Sequence, residues 1–303
     1  MQEKSYPRVG DAIWLSFLYI VIMLVAAILL GIVVGMLSAV IGIREDAATV
    51  LENIGATVAT VGALLFVFRR FTRNSGIKPM EFARRHSLSP AAVVGFIALT
   101  AGAIIISSDI HNQVIAVVPQ PEWYTSAIGQ LTGQPIVIAL VTVAVIPAVI
   151  EEVMFRGFFT IGLRRHENCT TTIAASSLLF GLVHLNPWQF FPAAFIGVVL
   201  GWLALRTGSI LLPIAAHFIN NALAVLLTRS EYLLPIRGFH PAHTIPGIFQ
   251  PFVFTLSGIA LLAAGYAVLQ RTLPPAHLRY TLSSGRRPAP LRAGVVPDTE
   301  SNQ

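Results

Sequence analysis

Eight apolar runs, separated by short polar or basic breaks, divide most of the chain: residues 12–43, 50–68, 90–108, 135–163, 171–185, 188–205, 209–227 and 248–269. A bilayer's hydrocarbon core of about 30 Å takes roughly 20 apolar residues in a helix. The pattern therefore predicts an all-α fold, a polytopic membrane helical bundle of about eight transmembrane helices. Gly55, Ala59 and Gly62 on the second run are small enough to admit a close neighbouring helix. Residues 109–134 form a polar connection without lysine or arginine, and its Trp123 and Tyr124 are the amphipathic aromatics of a membrane interface. No internal repeat stands out, so residues 1–269 read as a single helical domain. Residues 270–303, rich in proline, serine, glycine and arginine, lack the apolar content for a core and are expected to be a disordered cytoplasmic tail.

Composition agrees with the pattern: 55% of residues are hydrophobic, 11% are charged and the mean hydropathy is +0.73. The net charge of +6 does not indicate nucleic acid, because the basic residues stand in short runs beside apolar segments. Placed alternately on the two sides, Lys4, Arg8, the run from Arg69 to Arg85, Arg164, Arg165, Arg206 and the tail arginines share one side, and Arg44, Arg229 and Arg237 the other. Positively charged loops stay inside, so both termini are expected in the cytoplasm. The first run is too long for a signal-peptide core and is expected to remain as an anchor. The single cysteine, Cys169, excludes an internal disulfide framework and any cysteine-based metal cluster.

The apolar pattern is broken most sharply by Glu151-Glu152, at the heart of the fourth run. An ionised carboxylate in a membrane helix costs about 2.5–3.5 kcal/mol on insertion scales, so such groups face a protein interior or a watery cavity. Glu152 and Arg156 lie four apart, on one face and in the favourable acid-first order, which explains Glu152 as half of an internal ion pair. Glu151, turned about 100° away, is left facing another helix.

Three other polar groups occupy late runs: His184, His217 and, one turn on, Asn221. Counted from the predicted cytoplasmic boundary, Glu151, His184, His217 and Asn221 all lie at a depth of roughly 16–23 Å. A glutamate beside a histidine can polarise water and take its proton, and His217 with Asn221 can aim donors at a developing oxyanion. Together they describe amide hydrolysis by an activated water. The same residues leave a zinc set open, with Glu151, His184 and His217 as ligands and water in the fourth position. Phe180, four residues before His184, packs its imidazole. Asp109 and His111 end the third run at the outer boundary, where solvation is expected, and Asn220 lines a cavity or joins helices.

In order, Glu151-Glu152-x-x-x-Arg156, Phe180-x-x-x-His184 and His217-x-x-x-Asn221 resemble the motifs of the CPBP family of intramembrane proteases, which includes type II CAAX prenyl endopeptidases and bacterial bacteriocin-processing or self-immunity (Abi) proteins. The resemblance covers about residues 149–221. It implies an all-helical intramembrane endopeptidase in which Glu151 activates water, His184 holds that water, His217 and Asn221 stabilise the oxyanion, and Glu152 with Arg156 supports them. The family is catalogued among metalloproteases, whereas a metal-free glutamate mechanism is proposed for its prenyl-protease members; the reading preferred here requires no cofactor, with zinc as the alternative. The implied partners are the bilayer, in the plasma membrane of a bacterium, and a membrane-associated peptide or protein, with no nucleic acid. Intramembrane acids and histidines also build proton relays, so a proton-coupled transporter is the competing reading, with a non-catalytic immunity protein a third.

Overall fold

The computed structural model describes residues 7–75, 83, 87–164, 167–229, 238 and 249–273. Among these, every regular element is helical: α1 (Val9–Ile41), α2 (Glu45–Ser75), α3 (Pro90–Val117), α4 (Glu122–Gly133), α5 (Ile136–Leu163), α6 (Cys169–Leu182), α7 (Pro187–Thr207), α8 (Leu211–Leu227) and α9 (Phe252–Thr272). Six of them are long and apolar enough to cross a membrane, whereas α6 and α8, with 14 and 17 residues, are shorter apolar helices. The outer faces are apolar as lipid requires: Ile28, Leu29, Ile32 and Val33 of α1 are each more than half exposed.

Two cores hold the bundle. Helices α1, α2, α5 and α6 close around aromatic side chains, with Phe71 stacked on Phe158 at 4.7 Å and Phe155 against Phe180 at 5.3 Å. Helices α3, α7, α8 and α9 share the second, through Phe96, Leu99, Ile196, Leu200, Ala216 and Leu269. Glycine sets the closeness of α3 and α9. A Cβ on Gly102 would fall 2.4 Å from Leu262 N, and one on Gly265 would fall 2.3 Å from Leu99 N, so any larger residue forces the backbones apart. Gly55 of α2 leaves room for the Leu30 side chain of α1, whose nearer methyl group a Cβ there would meet at 2.4 Å.

The local signals end most helices where the sequence puts its breaks. Ser89 and Asn168 side chains cap α3 and α6, accepting from Ala92 N at 3.2 Å and Thr171 N at 2.8 Å. Gly208, at φ 63°, closes α7 in the left-handed conformation a helix C-terminus favours.

Two expectations change. Helix α3 runs on to Val117 and the connection after it contains α4, whose apolar face is covered by the bundle while Trp123 stays 68% exposed. The fifth run ends as a helix at Leu182, so His184 lies in the turn beyond it. The reason is local: Leu185 takes φ 56°, and Asn186-Pro187 starts α7 at once. The expected disordered tail lies outside the described residues from 274 onward, as do His86, Arg165, His166 and most of the basic segment after Ser75.

Candidate active site

The site is built first by an irregularity in α5. The helix is α-helical over Ile146–Glu152 but widens into π-helical turns on both sides, Leu140–Val145 and Val153–Thr160. Pro147 lies between them. Proline has no N–H, and in an α-helix the missing donor would have served the carbonyl of residue 143. Asn221 of α8 supplies a replacement, its Nδ2 donating to Val143 O at 3.1 Å. Asn220 in turn donates to Asn221 Oδ1 at 3.0 Å and fixes the plane of that amide. Asn221 is thus clamped by the backbone it repairs, and its second amide hydrogen remains for the cavity it lines.

Glu152 is wholly buried and accepts twice at one oxygen, from Arg156 Nη1 at 2.8 Å and from His217 Nδ1 at 3.0 Å. Arg156, also wholly buried, donates through Nη2 to Gly197 O at 3.1 Å and lies over the Phe180 ring at 4.4 Å. Gly197 permits this approach, since a Cβ there would stand 3.0 Å from Ser177 and 3.3 Å from Arg156 Nη2. The expected ion pair is therefore present. It also does something the spacing did not reveal: Glu152 holds the His217 ring, with Nδ1 as the donor.

Glu151 shares one feature with Glu152, a buried Oε2 without a hydrogen-bond partner, and differs in opening to the cavity and in lacking an arginine partner. Its side chain is 20% exposed, toward the cavity; Oε2 is buried without a hydrogen-bond partner and stands 3.9 Å from His217 Nε2. That distance is too long for a hydrogen bond. His184 presents Nδ1 to Phe180 O at 2.9 Å, and because a carbonyl only accepts, Nδ1 carries the proton and Nε2 of the neutral ring is an acceptor. Phe180 meets both imidazoles edge-on, His184 at 5.4 Å and His217 at 5.6 Å between centroids, so one ring fixes two histidines.

Glu151, Phe180, His184, His217 and Asn221 line a single cavity of about 450 Å³ between α3, α4, α5, α7 and α8. The structure thus brings together all four residues expected to do chemistry, with Glu152 and Arg156 directly behind them. Glu151, His184 and His217 face the same space, yet among the described residues no three His, Cys, Asp or Glu side chains stand close enough together to hold a metal ion. His217 Nδ1 is held by Glu152 and His184 Nδ1 by Phe180 O, which leaves Nε2 of each ring as the nitrogen available to a ligand. The donors suit zinc in type, but the three do not stand close enough in this structure to share an ion.

The outer wall corrects a further expectation. His111 is not a solvated boundary residue: its ring lines the cavity, Nδ1 donates to Trp188 O at 2.9 Å, and Nε2 is buried without a partner. The signal in the sequence is a stretch free of lysine and arginine on both sides of His111, through which the helix continues to Val117 despite Asp109. Tyr124 of α4 packs on Trp188 at 4.6 Å, and burial pushes its phenol up to about 12, so it faces the cavity as a neutral hydroxyl.

Residues 133–223, which carry all of these motifs, match the family model described as "Type II CAAX prenyl endopeptidase Rce1-like". The resemblance drawn from the three motifs is borne out by that match, and the activity the family carries is that of a protease. No curated protein and no solved structure matches the chain.

Proposed function

We propose that the chain is an intramembrane endopeptidase that hydrolyses a peptide bond of a membrane-associated protein or peptide with water activated by Glu151. The observation that carries this reading is that the Glu151 carboxylate opens to a cavity within the bundle beside His217 Nε2, whereas Glu152, whose Oε2 is also without a partner, is wholly buried and held by Arg156 and His217. A buried carboxylate oxygen left without a donor is costly, and water is the donor hydrolysis needs. Water in the cavity gives one hydrogen to Glu151 and the other to His184 Nε2, which leaves an oxygen lone pair for the scissile carbonyl. As the C–O bond forms, Glu151 takes the proton and the carbonyl becomes an oxyanion. The C–N bond then breaks, and Glu151 returns the proton to the leaving amine.

The oxyanion has two donors to meet, His217 Nε2–H and the second hydrogen of Asn221. His217 gives Nδ1–H to Glu152, so it offers Nε2–H as the imidazolium. Removing the Glu152 link would leave the imidazolium facing one carboxylate instead of two. No metal is assigned a role in this reading. We place both termini on the cytoplasmic side of the membrane, on the distribution of the chain's basic residues.

One detergent-solubilised preparation tests the mechanism, with wild type beside Glu151→Gln, prenylated and unprenylated peptide libraries as substrate, cleavage read by mass spectrometry, and metal content read on the same sample. The expected outcome is cleavage by wild type that falls by at least about 10²-fold in Glu151→Gln, with no stoichiometric metal. Normal turnover by Glu151→Gln would overturn the role of Glu151. Cleavage that tracks bound zinc would overturn the metal-free mechanism.

A further inference from the structure

His111 is a third imidazole on the cavity wall, and the hydrolysis does not use it. His111 lies on α3, outside residues 133–223, and is separated in sequence from every motif of the site. Its ring is oriented as firmly as those of His184 and His217. Nδ1 is 2.9 Å from Trp188 O, and Trp188 Nε1 donates to Val118 O at 2.7 Å, so the end of α3 and the start of α7 are stitched together around this imidazole. Trp188 follows His184 by four residues, and the turn between them is fixed by Asn186, whose Nδ2 donates to His184 O at 2.8 Å and whose Oδ1 accepts from Gln189 N at 2.9 Å. His111 and His184 are therefore held to one rigid turn.

The chemistry of the other edge of the ring follows from the tautomer. Because Trp188 O can only accept, His111 Nδ1 carries the hydrogen and Nε2 of the neutral ring carries a lone pair. That nitrogen is buried and has no partner. A desolvated acceptor in a binding cavity calls for a donor, and the donor every peptide carries is its main-chain N–H. An anionic group, such as a C-terminal carboxylate, is the wrong sign for a lone pair. Resting on the peptidase reading of this cavity, we propose that His111 Nε2 accepts a hydrogen bond from a backbone N–H of the substrate and so fixes the register in which its peptide bond is presented to Glu151 and His184.

The substitution that separates this role from packing is His111→Asn, whose amide can still donate to Trp188 O but has no acceptor at the position of Nε2. His111→Gln, with an oxygen that can reach that position, is the conservative partner. Both are made in full-length protein carrying Glu151→Gln, so that binding is read without turnover. The probes are fluorescent dodecapeptides selected from the cleaved library, in detergent, with single amide-to-ester replacements along the backbone; an ester removes one N–H and keeps the shape. The expected result is that one ester position weakens binding to the Glu151→Gln protein about tenfold, the worth of one hydrogen bond. His111→Asn weakens binding of the all-amide peptide by a similar factor and is indifferent to that ester, and His111→Gln regains part of the loss. Equal affinity in the His111→Asn protein, or an ester penalty that persists in it, overturns the role of His111 while leaving cleavage by wild type intact. Absence of both cleavage by wild type and binding of any library peptide overturns the peptidase reading and this inference with it.

Discussion

Glu151 and Glu152 are adjacent and chemically identical, yet the structure requires opposite consequences when each loses its charge. Glu152→Gln keeps the shape of a wholly buried side chain but strips the carboxylate that balances Arg156, itself wholly buried. Breaking a buried pair by neutralising one partner costs about 3–5 kcal/mol, because an uncompensated charge stays behind. In a chain of this size that corresponds to a fall in Tm of roughly 6–20 °C. Glu151→Gln has no hydrogen bond at Oε2 to lose, so its stability stays within about 1 kcal/mol of wild type while activity disappears. Fluorescence-detected size exclusion after heating reads both, in one detergent and at one concentration. A double variant, Glu152→Met with Arg156→Met, removes the stranded charge and recovers most of the stability lost by Glu152→Gln, because apolar replacement of a whole buried pair is often neutral. Equal melting of the two glutamine variants, or a double variant as unstable as Glu152→Gln, would refute the reasoning.

Pro147→Ala restores an N–H that competes with Asn221 for Val143 O. It is expected to raise Tm while lowering kcat several-fold with KM nearly unchanged, and an unaltered kcat would remove the clamp from the account. Phe180→Ala withdraws the ring that touches His184, His217 and Arg156 and is expected to cost about 3–5 kcal/mol, whereas Phe180→Leu retains more of both stability and activity in the same melting and cleavage assays. Cys169, exposed at the start of α6 and the single cysteine of the chain, reports orientation without background. A membrane-impermeant maleimide is expected to label it only when the cytoplasmic face is opened, and labelling of intact cells would reverse the topology.

The bundle was legible because lipid imposes a length: each expected run coincides with a helix, and the two acids within the fourth announced an interior. Neither Gly102 nor Gly265 announces α3 against α9, since nothing in one sequence pairs two distant glycines. Helix α4 escaped because it is short and largely polar, and its apolar face, including Tyr124 and Ile128, lines the cavity instead of facing lipid. The π-helical turns have no residue signature except Pro147, and their partner Asn221 is 74 positions on by the numbering. His184 was placed on a helix because its spacing from Phe180 is helical; the hydrogen bond to Phe180 O survives in the turn and preserves the appearance of a helical face. That Glu151 and His217 meet in one cavity was legible from residue type and depth, but the tautomers follow only from which carbonyl or carboxylate each ring meets.

The shortness of α6 and α8 has a consequence for the solvent of the reaction. At 1.5 Å per residue their 14 and 17 residues span about 21 and 25 Å, less than a hydrocarbon core of about 30 Å. Both present apolar side chains outward, Leu178 and Leu182 on one and Phe218, Ile219 and Leu226 on the other, each at least 37% exposed. Lipid against this flank relieves the mismatch by thinning, which lowers the headgroup plane toward the turn that holds His184. In the proposed reaction water then has a short path on the side where the helices are short, and acyl-chain length would control how readily the buried carboxylate is supplied.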